Sequence, residues 1–415
     1  MKVLLQPALN DANLDANQVS SQRQLAISIS ATSPNNGRAV PLNLCLILDH
    51  SGSMNGRPME TVKQAANRLV DRLTYGDRLS VIVFDHRAKV LIPNQVVEAP
   101  DKIKAQINRL NADGGTAIDE GMKLAIEELG KGKKEAISQA FLLTDGENEH
   151  GDDERCLKFA QLAADYNLTL NTLGFGDYWN QDILEKIADV AGGKLSYIQE
   201  PERVEAEFGQ LFNRIQSVGL TNAYLLFSLE PNVRLAELKP ISQVAPDTIE
   251  LPLQHERDGR FAVRLGDLLK DTNRVVLANM YVGKLAEGKQ AIATLQVRYD
   301  DPAQDRVGLL SEVIPVEANV VKVYHSAPNP QVQTHILALA KYRQTQMAEA
   351  KLQQGDRSGA ATMLQTAAKT ALQMGDNSAA TVLQTSATRL QAGEELSQSD
   401  RKKTRIVSKT ILQDS

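Results

Sequence analysis

At 415 residues the chain is longer than one ordinary domain, so two or three separate cores are expected. Its 42% hydrophobic and 23% charged residues lie near globular averages, which excludes a fibrous, disordered or membrane-embedded chain. A net charge of -5 with no long Lys/Arg run excludes the electrostatic footprint of a nucleic-acid binder.

The amino terminus meets Asn10 and Asp11 before an apolar signal-peptide core can form. No later stretch approaches the roughly 20 apolar residues of a membrane span. A cytoplasmic location without membrane insertion is therefore the expectation. Cys45 lies in an apolar strand and Cys156 in a helix, and two cysteines form neither a disulfide framework nor a zinc cluster. Both are read as reduced packing residues.

In chain order, residues 24–31 alternate as a strand, and residues 1–40 are assigned to the first part of a β-sandwich. From 41 to 219 short β-rich runs at 42–48, 79–84, 140–144, 169–175 and 194–199 alternate with helical periods. Met59, Val62, Ala66, Leu69 and Leu73 form one such period, and Ile118, Met122, Ala125 and Leu129 another. Further helices are expected at 101–110, 153–166, 181–191 and 203–218, with an antiparallel edge strand at 88–95. This is the pattern of a mostly parallel sheet covered by helices.

Residues 220–327 return to strands, at 224–229, 248–253, 261–265, 274–282, 291–298 and 312–316. One candidate strand precedes the α/β block and the others follow it, so the α/β domain is expected to be inserted in, or flanked by, an antiparallel β-sandwich. After Pro328 the texture turns to Ala, Gln, Leu and Lys. Gly355-Asp356 and Gly375-Asp376 open two echoing segments, in which Gly ends one helix and Asp caps the next. Residues 328–395 are read as a helical hairpin or bundle and a separable module. Residues 396–415 are read as a polar tail, partly disordered or docking as a final helix.

The first apolar strand ends in Asp49-His50-Ser51-Gly52-Ser53-Met54. The carboxyl ends of strands are where a parallel sheet displays functional groups, and alternate residues of a loop there converge on one side. Asp113-Gly114-Gly115-Thr116 leads into a helix, and Thr144-Asp145-Gly146 ends another apolar strand. Five oxygen-bearing side chains, Asp49, Ser51, Ser53, Thr116 and Asp145, can thus meet over one sheet edge. Oxygen donors of this kind suit a hard cation, Mg²⁺ before Ca²⁺ or Mn²⁺, rather than zinc or copper. The plainer reading makes Ser53, Thr116 and Asp145 turn residues and helix caps.

The pattern Asp-x-Ser-x-Ser, then Thr, then Asp resembles the metal-ion-dependent adhesion site of the von Willebrand factor A family. Gly76-Asp77-Arg78-Leu79-Ser80, Phe84-Asp85, Gly174-Phe175-Gly176 and residues 187–193 look like family landmarks in family order. The resemblance spans residues 41–219 and implies a Rossmann-like domain that binds proteins. By that resemblance Ser51 and Ser53 bind the cation directly and Thr116 directly or through water. Asp49 and Asp145 act largely through water, and an open position is filled by an Asp or Glu carboxylate of a protein partner. His50 departs from the family, where an apolar or small residue is commoner, and is expected to pack or cap away from the cation.

The acidic run Glu147 to Glu154 has two readings, a solvated loop whose Asp152 or Asp153 caps the next helix, and a rim for a second Ca²⁺. The function expected is a non-enzymatic, cation-dependent interaction or regulatory subunit, with self-association left open. The alternatives are a metal-assisted hydrolase using His50 or His150 as base, or a non-catalytic subunit of an AAA-type ATPase or chelatase complex.

Overall fold

A computed structural model of the chain describes residues 1–32, 40–134 and 136–410. Three strands come first, β1 (Lys2–Leu9), β2 (Asn13–Asp15) and β3 (Ser20–Thr32). An α/β block follows as β4 (Leu42–Asp49), α1 (Arg57–Arg72), β5 (Arg78–Phe84), β6 (Ala88–Val96), α2 (Pro100–Ile107), α3 (Ile118–Lys131) and β7 (Ile137–Thr144). It continues as α4 (Asp153–Asp165), β8 (Thr169–Phe175), α5 (Gln181–Ala191), β9 (Leu195–Ile198) and α6 (Val204–Gln216). The chain then returns to strands, β10 (Val218–Leu229), β11 (Val233–Leu235), β12 (Ile241–Ala245), β13 (Ile249–Glu250) and β14 (Gln254–His255). The last strands are β15 (Phe261–Leu269), β16 (Arg274–Gly283), β17 (Gly288–Asp301), β18 (Arg306–Leu310) and β19 (Ile314–Val321). Four helices close the fold, α7 (Pro330–Gln353), α8 (Arg357–Gln373), α9 (Asn377–Gln391) and α10 (Gln398–Lys409).

The α/β sheet runs β6-β5-β4-β7-β8-β9, parallel except for β6 at the edge. Every residue of β4 is buried, because helices cover both faces of a parallel sheet. Successive side chains alternate between two cores. Leu44, Leu46 and Leu48 pack with α1, α2 and α6, whereas Cys45 and Ile47 pack with α3, α4 and α5. Cys45 and Cys156 are both buried and free.

The two sandwich sheets run β1-β3-β16-β12-β13 and β14-β15-β10-β17-β19-β2, with β11 and β18 attached to β16 and β17. Because β1 to β3 complete sheets otherwise built from β10 onward, the α/β domain is inserted into the sandwich. Several strands differ from the sequence reading. Residues 1–15 contribute β1 and β2, the strand expected at 248–253 shrinks to Ile249–Glu250, and β18 is unheralded. Most of β18 is exposed, so no core-facing alternation marks it.

In the helical module the echoing Gly-Asp pairs act as expected. Gly355 and Gly375 take left-handed φ of 80° and 78°, and Asp356 and Asp376 accept bonds from the amides of Gly359 and Ala379. Alanines such as Ala367 and Ala371 let α8 approach its neighbours closely around Leu364 and Leu383. Of the two readings of the polar stretch, the structure has the final helix, α10, opened by a Ser397/Asp400 capping box, with Lys402, Thr404 and Ser408 buried. Arg405 and Lys409 pair with acidic groups of the α/β domain and Lys402 donates to a carbonyl there, which local hydropathy cannot register. Residues 411–415 of that stretch lie outside the described residues. No helix among the described residues is long and apolar enough to cross a membrane.

Candidate functional site

At the carboxyl end of β4 the wholly buried Asp49 carboxylate is held at both oxygens. The Ser51 amide donates to Oδ1 over 2.8 Å, and the Thr144 hydroxyl donates to Oδ2 over 2.6 Å. One short 3₁₀ turn, Gly52–Met54, then brings Ser53 back beside Ser51, their hydroxyls 3.0 Å apart. The Ser53 hydroxyl donates to Asp145 Oδ1 at 2.7 Å, so in that pair Ser51 is left as the donor. Four of the five expected residues thus form one connected set, from buried Asp49 to exposed Ser53.

The loop carrying Thr116 is clamped to this turn by backbone bonds, Gly52 amide to Gly114 carbonyl at 2.9 Å and Asp113 amide to His50 carbonyl at 2.7 Å. Gly114 sits at φ +83°, and a Cβ there would lie 2.7 Å from His86 Nδ1. Thr116 is buried, and its Oγ1 would lie 3.1 Å from a Cβ on Gly146, placing the hydroxyl beside the Asp145 turn. Among the described residues Thr116 makes no side-chain hydrogen bond to the other four.

Neither site carboxylate has an ion-pair partner among the described residues. Burial lifts the Asp49 carboxyl to about 6, with the Asp145 charge adding to the lift and the bonds from Thr144 and Ser51 opposing it. Burial also lifts Asp145, opposed by the Ser53 hydroxyl. Two under-neutralised carboxylates and three hydroxyls at one edge make a donor set of the hard-oxygen kind, chemically fitted to a small divalent cation.

His50 is buried away from this set, its Nδ1 3.2 Å from the Asn111 carbonyl and its Nε2 3.6 Å from Asp85. Burial lowers its imidazole pKa, against the pull of Asp85. His150 packs on the glycine loop, where a Cβ on Gly115 would meet its ring at 2.4 Å. In the acidic loop, Asp152 caps α4 by accepting from the Glu154 and Arg155 amides at 2.8 and 3.2 Å. No cluster of three His, Cys, Asp or Glu side chains suited to a metal occurs among the described residues.

Two contributors escaped the sequence reading. Thr144 was visible only as the residue before Asp145, yet it anchors Asp49. Asn148, within the acidic run, accepts from the Ile118 amide at 2.7 Å and so caps α3, the helix that begins directly after the Thr116 loop. Nothing local flags either residue, because each acts on a chain segment remote in sequence.

Comparison with known proteins agrees with this architecture. The von Willebrand factor type A domain profile matches residues 43–210, and the profile "Sll0103-like, C-terminal alpha-helical domain" matches residues 330–414. The chain is similar to a solved structure named von Willebrand factor type A from Catenulispora acidiphila, with TM-score 0.83 over 99% of this chain and 97% of that one. At 18% identity this likeness shows the fold alone. Inter-alpha-trypsin inhibitor heavy chain H4 of Bos taurus is 27% identical over 200 residues, a match spanning 46% of this chain and 22% of that protein. The uncharacterized protein sll0103 of Synechocystis sp. is 57% identical over 413 residues, covering 100% of this chain and 98% of that protein. A match of that extent, with both profiles in place, means that this chain belongs to the Sll0103-like family of von Willebrand factor type A domain proteins.

Proposed function

We propose that the edge formed by Asp49, Ser51, Ser53, Thr116 and Asp145 holds one divalent cation, Mg²⁺ before Ca²⁺ or Mn²⁺, and that the protein uses it to capture an Asp or Glu carboxylate of a protein partner. The observation that carries this reading is the connected chain Ser51–Ser53–Asp145, set beside an Asp49 carboxylate already held by Thr144 and the Ser51 amide. A bound cation would supply positive charge to which an incoming carboxylate is drawn. The protein's part is to fix the hydroxyls, to keep Asp49 buried and to leave the exposed Ser53 side open.

The role is read as non-catalytic, that of an interaction or regulatory subunit acting in the cytoplasm. What supports it against a hydrolase is that His50, one of the two candidate bases, faces Asn111 and Asp85. Calorimetric titration with Mg²⁺, Mn²⁺ and Ca²⁺, alongside thermal melts, tests the site. Wild type is expected to bind and Asp49→Ala to lose binding while melting as a folded protein. Equal cation binding by both would end the proposal.

A further inference from the structure

The helical module touches its two neighbours by different chemistry. On the sandwich it is seated mainly by apolar contact, with Val332, Ile336 and Leu339 of α7 against Ala26, Val244, Val275 and Leu277, beside one ion pair at the rim, Arg343 to Glu250 at 3.2 Å. On the α/β domain the contact is ionic. Asp182, Glu185 and Asp189 lie at i, i+3 and i+7 on one face of α5, and Lys402, Arg405 and Lys409 repeat that spacing on α10. Arg405 pairs with Asp182 and, at 2.6 Å, with Glu185. Lys409 lies 3.0 Å from Glu185 and 2.6 Å from Asp189.

At the start of α10 the Lys402 ammonium donates to the Asp177 carbonyl at 2.7 Å and stands 4.0 Å from the ring centre of Trp179, the chain's single tryptophan. The residues it grips belong to the loop after β8. That strand neighbours β7, whose end carries Asp145. No apolar cluster among the described residues joins α5 to α10, since the two cores stay within their own domains. α10 is meanwhile fixed to its own module. Lys341 donates to the carbonyls of Val407 and Thr410 at 2.9 and 3.1 Å, and the Ser386 and Thr404 hydroxyls are 2.9 Å apart.

This asymmetry has an energetic consequence. Apolar area is lost to water in proportion when a seat opens, whereas paired charges are resolvated on separation and recover much of what their burial cost. Polar contacts between domains are therefore the ones that yield. We propose that the α5–α10 contact is a releasable ionic latch, whose opening parts α5 from α10 while the helical module stays on the sandwich and the α/β domain keeps its own bonds to the sandwich, from Gln139 and Thr169 to Asp267. Release frees the loop of residues 176–180 beside the cation edge. The inference is independent of what that edge binds.

The full chain and the charge-reversal variant Asp182→Lys/Glu185→Lys/Asp189→Lys test it, because these carboxylates face α10 and the apolar face of α5, with Ile183, Leu184 and Ile187, is left unchanged. Trp179 emission is expected to shift to the red. Amide exchange should speed roughly tenfold at 176–191 and 398–409, with exchange in β4, β7 and β16 unchanged. Wild type taken to about 1 M NaCl, where the screening length falls to about 3 Å, should move in the same direction. Adding Lys409→Glu to Asp189→Lys should restore the wild-type signals. Three results would overturn the latch: unchanged emission and exchange in the triple variant, protection lost in every element together, or a wild type indifferent to salt.

Discussion

The Thr144 hydroxyl donates to Asp49 Oδ2 over 2.6 Å between two side chains that water does not reach. It ties the end of β7 to the end of β4 and so fixes the distance between the two carboxylates of the candidate site. Thr144→Val keeps the shape and removes the donor. A hydrogen bond to a charged group contributes about 1.5–3 kcal/mol, so cation affinity should fall by roughly tenfold or more while the melting transition stays cooperative. Calorimetry on the variant decides this, and unchanged affinity would mean that Asp49 needs no anchor from β7.

Gly174 lies under the indole of Trp179, where a Cβ would come within 2.1 Å of the ring. The indole is 2% exposed, donates to the Gly176 carbonyl at 2.7 Å and has little room to retreat. Gly174→Ala is expected to destabilise the chain by about 1–3 kcal/mol, as overpacking does, and to change the tryptophan emission. Denaturant titration followed by fluorescence would expose an error if the variant matched wild type in both respects.

Lys341 is fully buried in α7 and donates to Asp376 Oδ2 at 3.1 Å as well as to two carbonyls at the end of α10. Replacing it with Met leaves Asp376 buried without its counter-charge. Loss of one partner from a buried pair costs about 3–5 kcal/mol. Lys341→Met should therefore loosen α7, α9 and α10 first, visible as faster amide exchange in those helices than in the sandwich. Exchange identical to wild type would show the ammonium to be dispensable.

Burial pushes the Lys402 ammonium down to about 8, against the opposing charges of Asp177 and Glu147. Tyr197, also nearby and bonded to Asp177, is pushed up to about 12 and stays neutral. With the folded pKa below the ordinary lysine value near 10.5, the folded state binds fewer protons than the unfolded chain between those values. The cost of burying this charge is thus fully present below about pH 8 and is relieved as pH rises toward 10. Wild type should gain stability over that range relative to Lys402→Met. Parallel stability profiles for the two proteins would remove Lys402 as the titrating group.

Much of the candidate cation site was legible in the chain because its residues are local in kind. Asp49, Ser51 and Ser53 sit within five residues at the end of an apolar strand, Thr116 follows the Gly114-Gly115 turn, and Asp145 stands at the end of another apolar strand just before Gly146. The parallel sheet and the Gly-Asp helix breaks were legible for a similar reason, since hydrophobic period and capping chemistry are written over short windows. Thr144 and Asn148 were not, because each acts through a single bond to a segment remote in sequence.

What the sequence by itself determined is the set of elements and the identity of the oxygen groups, both consequences of short-range periodicity and turn chemistry. Only the tertiary structure decided that residues 398–409 form a docked helix rather than a tail. Seen alone, Lys402, Arg405 and Lys409 are charges bound for water. Lys402 is buried, and Arg405 and Lys409 largely so, because Asp177, Asp182, Glu185 and Asp189, more than two hundred residues earlier, supply the counter-charges and a carbonyl that make it tolerable. That pairing exists only once the α/β domain and the helical module have come together, and no window along the chain contains it.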